Sequence, residues 1–262
     1  MKKIVALVLA CLLILAAAGC SSATGKLKKI QKNSKIEIYT DPNFSPFEFQ
    51  GASGIEGVDI EIAKAIAAEL GVTATFTESN FDSILMAIKG GKGDIAISGF
   101  TILPERLESV DFSIPYIESV QYLILPNGSD IAVLEDLAGK NVGVAKAYSG
   151  QFLLEDEIAE GVLAGLDTKL GEYNSAMEAV LDLDIGRIDA VVMDEYVAKD
   201  IVAKNPGMVT IELRYENGDL AAEEYGVMVA KGNKELLDII NAVIKRLNDE
   251  GKIQEWVVQF SQ

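Results

Sequence analysis

From Lys35 to the C-terminus, short apolar or alternating runs take turns with stretches in which apolar residues recur every three or four positions, so strands and helices alternate. Lys35 to Thr40 alternates and predicts a strand that enters the polar loop Asp41 to Glu48. Ile62, Ile66 and Leu70 fall on one helix face, which Gly71 closes as a left-handed cap. Val72 to Thr77 reads as a strand, and Asn80 stands where it would cap a helix carrying Ile84, Leu85 and Ile88. Beyond Gly90-Gly91 come the apolar runs Asp94 to Ser98, Ser109 to Ser113 and Val120 to Leu125. A second series has a short helix ending at Leu137, a strand Asn141 to Ala145 and a helix opening near Ser149. A strand Thr168 to Tyr173, a helix capped by Asn174, a strand Ile188 to Met193 and a helix from Glu195 follow. Strands Val209 to Leu213 and Tyr225 to Ala230 come next, then an amphipathic helix with Leu236, Ile240, Val243 and Leu247 on one side and a short helix holding Trp256. This alternation predicts an α/β fold with largely parallel sheets.

Two of these strands end in polar side chains at matching places. Asp94-Ile-Ala-Ile-Ser98 leads into Gly99 and Thr101, and Asp189-Ala-Val-Val-Met ends in Asp194. Ligands of open α/β sheets sit beyond the carboxyl ends of the strands, so two facing lobes would bring both tips into one cleft. A turn started by Pro104 carries Arg106, whose planar guanidinium grips both oxygens of a carboxylate and stays charged when desolvated. The anion could be phosphate, a dicarboxylate or the carboxylate of an amino acid. Asp194 narrows the choice, because a buried carboxylate beside an anion is unfavourable unless the ligand also carries a cation. A zwitterion satisfies both. Its carboxylate would take Arg106 and the helix-start N–H groups near Ser149, and its ammonium would take Asp194, the Thr101 hydroxyl and the Gly99 carbonyl. Asp194 also stands where it would cap the helix beginning at Glu195.

Composition sets outer limits. A chain of 262 residues, 49% hydrophobic, can bury one large core or two modest ones. Residues 1–19 read as a secretory signal, with Lys2 and Lys3 ahead of the apolar run Ile4 to Ala18. Cys11 lies inside that signal, which leaves Cys20 as the only mature cysteine and excludes an intramolecular disulfide. Residues 21–34 lack apolar periodicity and are expected to form a flexible tether. Without Lys2 and Lys3 the mature chain carries 23 − 2 = 21 basic and 40 acidic residues, a balance of −19 that repels nucleic acid. Histidine is absent, which removes the usual general base and the commonest metal ligand. No catalytic residue, metal or cofactor is therefore expected.

The sequence Ala17-Ala18-Gly19-Cys20 resembles the lipobox of bacterial lipoproteins, with Ala in place of Leu three residues before the cysteine. The resemblance implies lipid on Cys20 and a membrane anchor. Over about residues 35–260 the chain resembles the extracytoplasmic solute-binding proteins of polar amino-acid ABC importers, family 3, which include glutamine-binding and lysine/arginine/ornithine-binding proteins. The shared motifs are Thr40-Asp41 with Phe44-Ser-Pro-Phe-Glu-Phe49, Gly57-Val-Asp-Ile-Glu-Ile-Ala-Lys-Ala-Ile66 and Phe81-Asp-Ser-Ile84. They continue through Ser98-Gly-Phe-Thr-Ile-Leu-Pro-Glu-Arg106, Val110-Asp-Phe-Ser-Ile-Pro-Tyr116, Leu134 to Val144, Asp189 to Glu195 and Glu223-Glu-Tyr-Gly226.

This resemblance implies a two-lobed fold of the type II periplasmic-binding-protein kind, with the ligand cleft between lobes. Lobe 1 would comprise residues 35–119 and 223–262 and lobe 2 residues 120–222, joined by hinge crossings near Ser119 to Leu123 and Gly218 to Ala222. It implies Arg106 on the substrate carboxylate, Asp194 on the ammonium, and Gly99 and Thr101 as further polar partners. Phe44 and Phe81 would sandwich the aliphatic stem, Asp41 would face the side-chain head, and Ser98 would join the lining. The family's second-lobe loop usually reads Gly-Thr-Thr or Gly-Thr-Gly, whereas this chain has Ala147-Tyr148-Ser149. Ser149 can still donate, but Ala147 adopts positive φ less readily than glycine, and Tyr148 adds bulk. The implied function is a monomeric, lipid-anchored extracytoplasmic receptor that closes on a polar or cationic L-amino acid and delivers it to an ABC permease. The alternatives are a sensing module for a signalling partner, or a dehydratase-like enzyme with Glu48 and Lys146 as acid and base.

Overall fold

The computed structural model describes residues 21–261; the signal segment and Cys20 lie outside them. Ile36 and Ile38 bury alternate positions of β1 (Lys35–Thr40), which pairs in parallel with β5 (Thr73–Glu78) and β6 (Ile95–Ala96). The hairpin strands β2 (Asn43–Phe44), β3 (Glu48–Gly51) and β4 (Gly54–Glu56) form a small separate sheet within the connection from β1. Strands β7 (Val110–Phe112) and β14 (Met228–Ala230) complete the first large sheet in the order β5-β1-β6-β14-β7. Both pairings made by β14 are antiparallel, so this sheet is mixed rather than largely parallel. Helices α2 (Val58–Glu69), α3 (Phe81–Lys89) and α8 (Lys234–Asp249) pack on it through Ile62, Ile66, Ile84, Ile88, Ile240 and Ile244.

The second large sheet has the order β10-β9-β11-β8-β12, from β8 (Ile117–Pro126), β9 (Asn141–Ala145), β10 (Lys169–Tyr173), β11 (Ala190–Asp194) and β12 (Met208–Glu212). Its β9, β10 and β11 are parallel, while β8 and β12 run against them. Val142, Val144, Leu154, Ala190 and Val192 fill one side of it. Helices α5 (Ser149–Ala159), α6 (Ala176–Asp184) and α7 (Glu195–Lys204) follow β9, β10 and β11 in turn.

Strand β8 links the two sheets. Its first part, Ile117 to Val120, pairs with β13 (Ala222–Tyr225), and its later part, from Gln121, pairs with β11 and β12. The expected strand Tyr225 to Ala230 is therefore two strands. β13 belongs with β8, while β14 enters the first sheet, and at the break between them Gly226 N–H donates to the Phe100 carbonyl.

Three expectations change. The segment 21–34 is not a flexible tether: Ser21–Asn33 forms helix α1, whose Ile30 is 1% exposed in the first core and whose Lys26 Nζ donates to the Gly93 carbonyl at 2.8 Å. Its lysines favour helix, and Leu27 and Ile30, three apart, give it a narrow apolar edge too sparse to read as periodicity. The side chain capping α6 is Ser175, not Asn174. At α3 the Asn80 side chain makes no cap; the Phe81 N–H instead donates to Asp41 Oδ2.

Truncating Ile30 tests the docking of α1. Ile30→Ala is expected to lower unfolding free energy by about 2–4 kcal/mol in urea denaturation, the usual cost of emptying a buried Ile site. A change below about 0.5 kcal/mol would mean that α1 is not held by this core.

Candidate functional site

The strand ends of the two large sheets bring their polar residues together. Arg106, on the one-turn helix α4 (Pro104–Leu107), is only 4% exposed. Its Nη1 donates to the Thr101 carbonyl at 2.7 Å, and its Nη2 donates at 2.7 Å to the carbonyl of Ala147, beyond the end of β9. The guanidinium lies over Phe81, Phe100 and Phe152, 5.6, 5.5 and 5.9 Å from the ring centroids. Burial lowers its pKa to about 10, against the opposing pull of Asp194 and Glu223, so it stays charged at neutral pH. Among the described residues no carboxylate forms an ion pair with it.

An acidic cluster lies on the other side of the site. Asp194 ends β11 in the N-cap position of α7, but its carboxylate makes no cap bond. Oδ1 accepts from Gln121 Nε2 at 2.6 Å and from the Ser149 hydroxyl at 3.5 Å, while Oδ2 accepts from the Tyr225 hydroxyl at 2.8 Å. Glu223 joins it: Oε2 accepts from Ser149 Oγ at 2.7 Å and Thr101 Oγ1 at 2.9 Å, and Oε1 accepts from Gln121 Nε2 at 3.0 Å and the Tyr225 hydroxyl at 3.3 Å. Burial raises the Asp194 pKa, partly offset by the donors from Gln121 and Tyr225 and by Arg106. Burial, then the charge of Asp194, raises Glu223 to about 8. Thr101 and Glu223 also line a cleft of about 650 Å³ with Glu118, Ser119 and Glu195.

The aromatic residues meet here too. Phe44 is 1% exposed and Phe81 7% exposed, and both touch Tyr148, which approaches from the second sheet with centroids 5.7 and 4.2 Å away. Gly99 holds φ +54, and a Cβ there would stand 2.2 Å from Phe44 Cε1, so only glycine lets the Phe44 ring lie this close. The Gly99 N–H donates to Asp59 Oδ2 at 2.8 Å, which fixes the bend that turns Thr101 toward the cluster.

One predicted residue, Ser98, faces elsewhere, and Asp41 has a supporting role as well. Ser98 is fully buried inside the first sheet; its hydroxyl donates to Glu48 Oε1 at 2.6 Å and accepts from the Asp41 N–H at 3.0 Å. It positions Asp41 rather than lining the site. Asp41 itself is 8% exposed and accepts from Asn43 Nδ2 at 2.6 Å and the Phe81 N–H at 3.0 Å, so it also orients the aromatic helix α3. Burial raises its pKa. Glu48 and Lys146 do not form an acid/base pair: Glu48 is fully buried beside Asp59 and Ser98, whereas Lys146 is exposed.

Gln121 is absent from the residues that the sequence points to, and Glu223 and Tyr225 enter there only within the motif Glu223-Glu-Tyr-Gly226, without a role in the site. Gln121 had a visible signal, as the one amide inside the apolar run Val120 to Leu125. Glu223 and Tyr225 alternate on one face of β13, but the polar stretch around them hides that alternation. Among the described residues no group of three His, Cys, Asp or Glu side chains is arranged to hold a metal ion.

Residues 36–261 match the model of the bacterial extracellular solute-binding proteins, family 3. The chain is 31% identical over 256 residues to the ABC transporter arginine-binding protein 1 of Escherichia coli strain K12, covering 97% of each. It is 29% identical to a probable histidine-binding protein of Neisseria gonorrhoeae, over 99% of this chain and 96% of that protein. Its fold superposes with a TM-score of 0.81 on the amino acid ABC transporter substrate-binding protein AbpA of Streptococcus pneumoniae bound to L-arginine, at 32% identity over 89% of this chain and 97% of that one. The architecture is accordingly that of the two-lobed type II periplasmic binding proteins. A match that runs from β1 to the last helix, with the paired sheets and crossing strands found here, means that the chain belongs to the bacterial extracellular solute-binding proteins, family 3.

Proposed function

We propose that this protein is an extracytoplasmic receptor that binds a polar, preferably cationic, L-amino acid and delivers it to an ABC importer. The observation that carries this reading is the opposition of a buried carboxyl cluster and a buried guanidinium that, among the described residues, has no ion-pair partner. A buried charge is costly unless it is paired, and a zwitterion pairs both ends at once. Its carboxylate would take the Arg106 fork, and its ammonium would sit between Asp194, Glu223 and the Thr101 hydroxyl. Phe44 and Phe81 supply apolar faces for an aliphatic stem, and Asp41 supplies an acceptor for a cationic head. The arginine- and histidine-binding relatives favour a nitrogen-rich side chain.

Closure follows from the same geometry. Arg106 belongs with the first sheet and Asp194 with the second, so a ligand held by both favours the approach of lobes 35–119 with 223–262 and 120–222. Strands β8 and β13 carry the chain across, and the hinge would lie in them. Lipid on Cys20 would hold the receptor at the membrane, next to its permease, and α1 would keep the first lobe close to the anchor.

Calorimetry of the mature chain against L-amino acids should give L-arginine binding tighter than roughly 10 μM, about −7 kcal/mol. Arg106→Ala should weaken it at least roughly 30-fold, the worth of a charge-assisted pair of about 2 kcal/mol. Failure of every amino acid to bind would refute the receptor reading. Protons provide a second test. With its pKa near 8, Glu223 is mostly protonated at pH 7, and an arriving ammonium stabilises its ionised form. Binding should therefore release a proton at pH 7 and tighten as pH rises from 6 to 8. Calorimetry in buffers of different ionisation enthalpy checks this; Glu223→Gln should abolish most of the release, and a release that persists unchanged contradicts the assignment.

A further inference from the structure

The segment Ala147-Tyr148 makes the contacts that an amino-acid ligand would need. The Ala147 carbonyl accepts from Arg106 Nη2 at 2.7 Å, the place of a ligand carboxylate oxygen. The Tyr148 ring touches both Phe81 and Phe44, the faces proposed for a ligand stem. Its phenol end lies toward Asp41, whose charge is the largest after burial itself in holding the hydroxyl pKa well above its ordinary value, followed by Glu48 and Asp194. Asp41 is also the group proposed for a ligand side-chain head.

The loop is built to hold this pose. Ala147 takes φ +63, a left-handed conformation that is strained for a non-glycine residue. That strain is offset locally: the Ala147 N–H donates to Gln151 Oε1 at 2.7 Å, and the Lys146 N–H donates to the Tyr173 carbonyl at 2.9 Å. The next residue, Ser149, is tied to Glu223 at 2.7 Å. Tyr148 is consequently only 7% exposed despite standing at the very start of α5.

We propose that Tyr148 is an autoinhibitory residue of this site, a built-in competitor that an incoming amino acid must displace. The inference rests on the receptor reading above. Phe81 packs on Phe100 and on Tyr148, with ring centroids 4.4 and 4.2 Å away, so a ligand stem and the tyrosine ring compete for the Phe81 face that Tyr148 covers. Binding is therefore an exchange, and the apparent affinity of every ligand is reduced by the fraction of molecules in which the loop occupies the site. A ligand with a long aliphatic stem regains the two ring contacts that Tyr148 gives up. A ligand such as alanine regains only the charged contacts, but the loop that each displaces is the same. The tyrosine thus lowers the affinity of every ligand by the same factor without touching the ligand that finally binds.

The test compares L-arginine and L-alanine binding by calorimetry in the full mature chain, its Tyr148→Ala variant and its Tyr148→Phe variant, with thermal melts to verify folding. Tyr148→Ala should bind L-arginine roughly tenfold more tightly and strengthen L-alanine binding by the same factor, leaving the ratio between them unchanged. Tyr148→Phe, which keeps the ring, should stay within about threefold of the parent. A folded Tyr148→Ala protein with unchanged or weaker arginine binding overturns the proposal. A second readout needs no variant. Nuclear Overhauser contacts from Tyr148 to Phe81 should vanish as L-arginine saturates the protein, and their survival at saturation also overturns it. If none of the three proteins binds any amino acid, the receptor reading falls, and this inference with it. If binding occurs but the Tyr148 contacts persist, only this inference falls.

Discussion

A guanidinium shut away from water without a counter-carboxylate is the constraint around which this molecule is arranged. Arg106 is held by two carbonyls, one from each half of the chain, and by three aromatic faces. These contacts compensate part of the desolvation cost, but carbonyl dipoles and ring quadrupoles are weaker partners than a carboxylate. The site therefore remains biased toward an anion. Opposite it, Asp194 and Glu223 share Gln121, Ser149 and Tyr225 as donors, which keeps two acids close together at the expense of raising both pKa values. One end of the site calls for negative charge and the other for positive. Because these ends lie on different sheets, a ligand held by both would draw the proposed lobes together.

A second buried acid pair supports this arrangement from behind. Asp59 accepts from the Gly99 N–H and from the Tyr116 hydroxyl, and burial lifts its pKa to about 6. Glu48, fully buried, is pushed well up by burial and by the charge of Asp59. Glu48 Oε2 and Asp59 Oδ1 are buried without a hydrogen-bond partner. Through Ser98 and Asp41 the same network reaches the start of α3 and so sets the Phe81 ring. The side chains proposed to face the ligand are positioned by polar groups behind them.

Much of this was legible in the sequence. The alternation of Lys35 to Thr40 and the apolar runs ending at Ser98 and Asp194 lie in strands or just beyond them, and Arg106 and Asp194 do reach one buried site. Composition could not say which strands run antiparallel, because β14 and β12 are set by long-range pairing rather than local pattern. The helix at 21–33 was missed because two apolar residues suffice when the rest of the face meets solvent. Ser98 was misplaced for a related reason: a polar residue at a strand end can face the site or its supporting shell, and only the positions of Glu48 and Asp41 decide. Ala147-Tyr148 was visible as a departure, yet its consequence depends on a carbonyl and a ring crossing between sheets, which no local pattern encodes.

The most direct measurement is a crystal structure of the mature protein grown with L-arginine. The account predicts the ligand carboxylate on the Arg106 fork, its ammonium on the Asp194 and Glu223 side, and its guanidinium directed toward Asp41. Ligand bound away from the Arg106 and Asp194 side chains, with the two still facing each other across an unchanged loop, would contradict it.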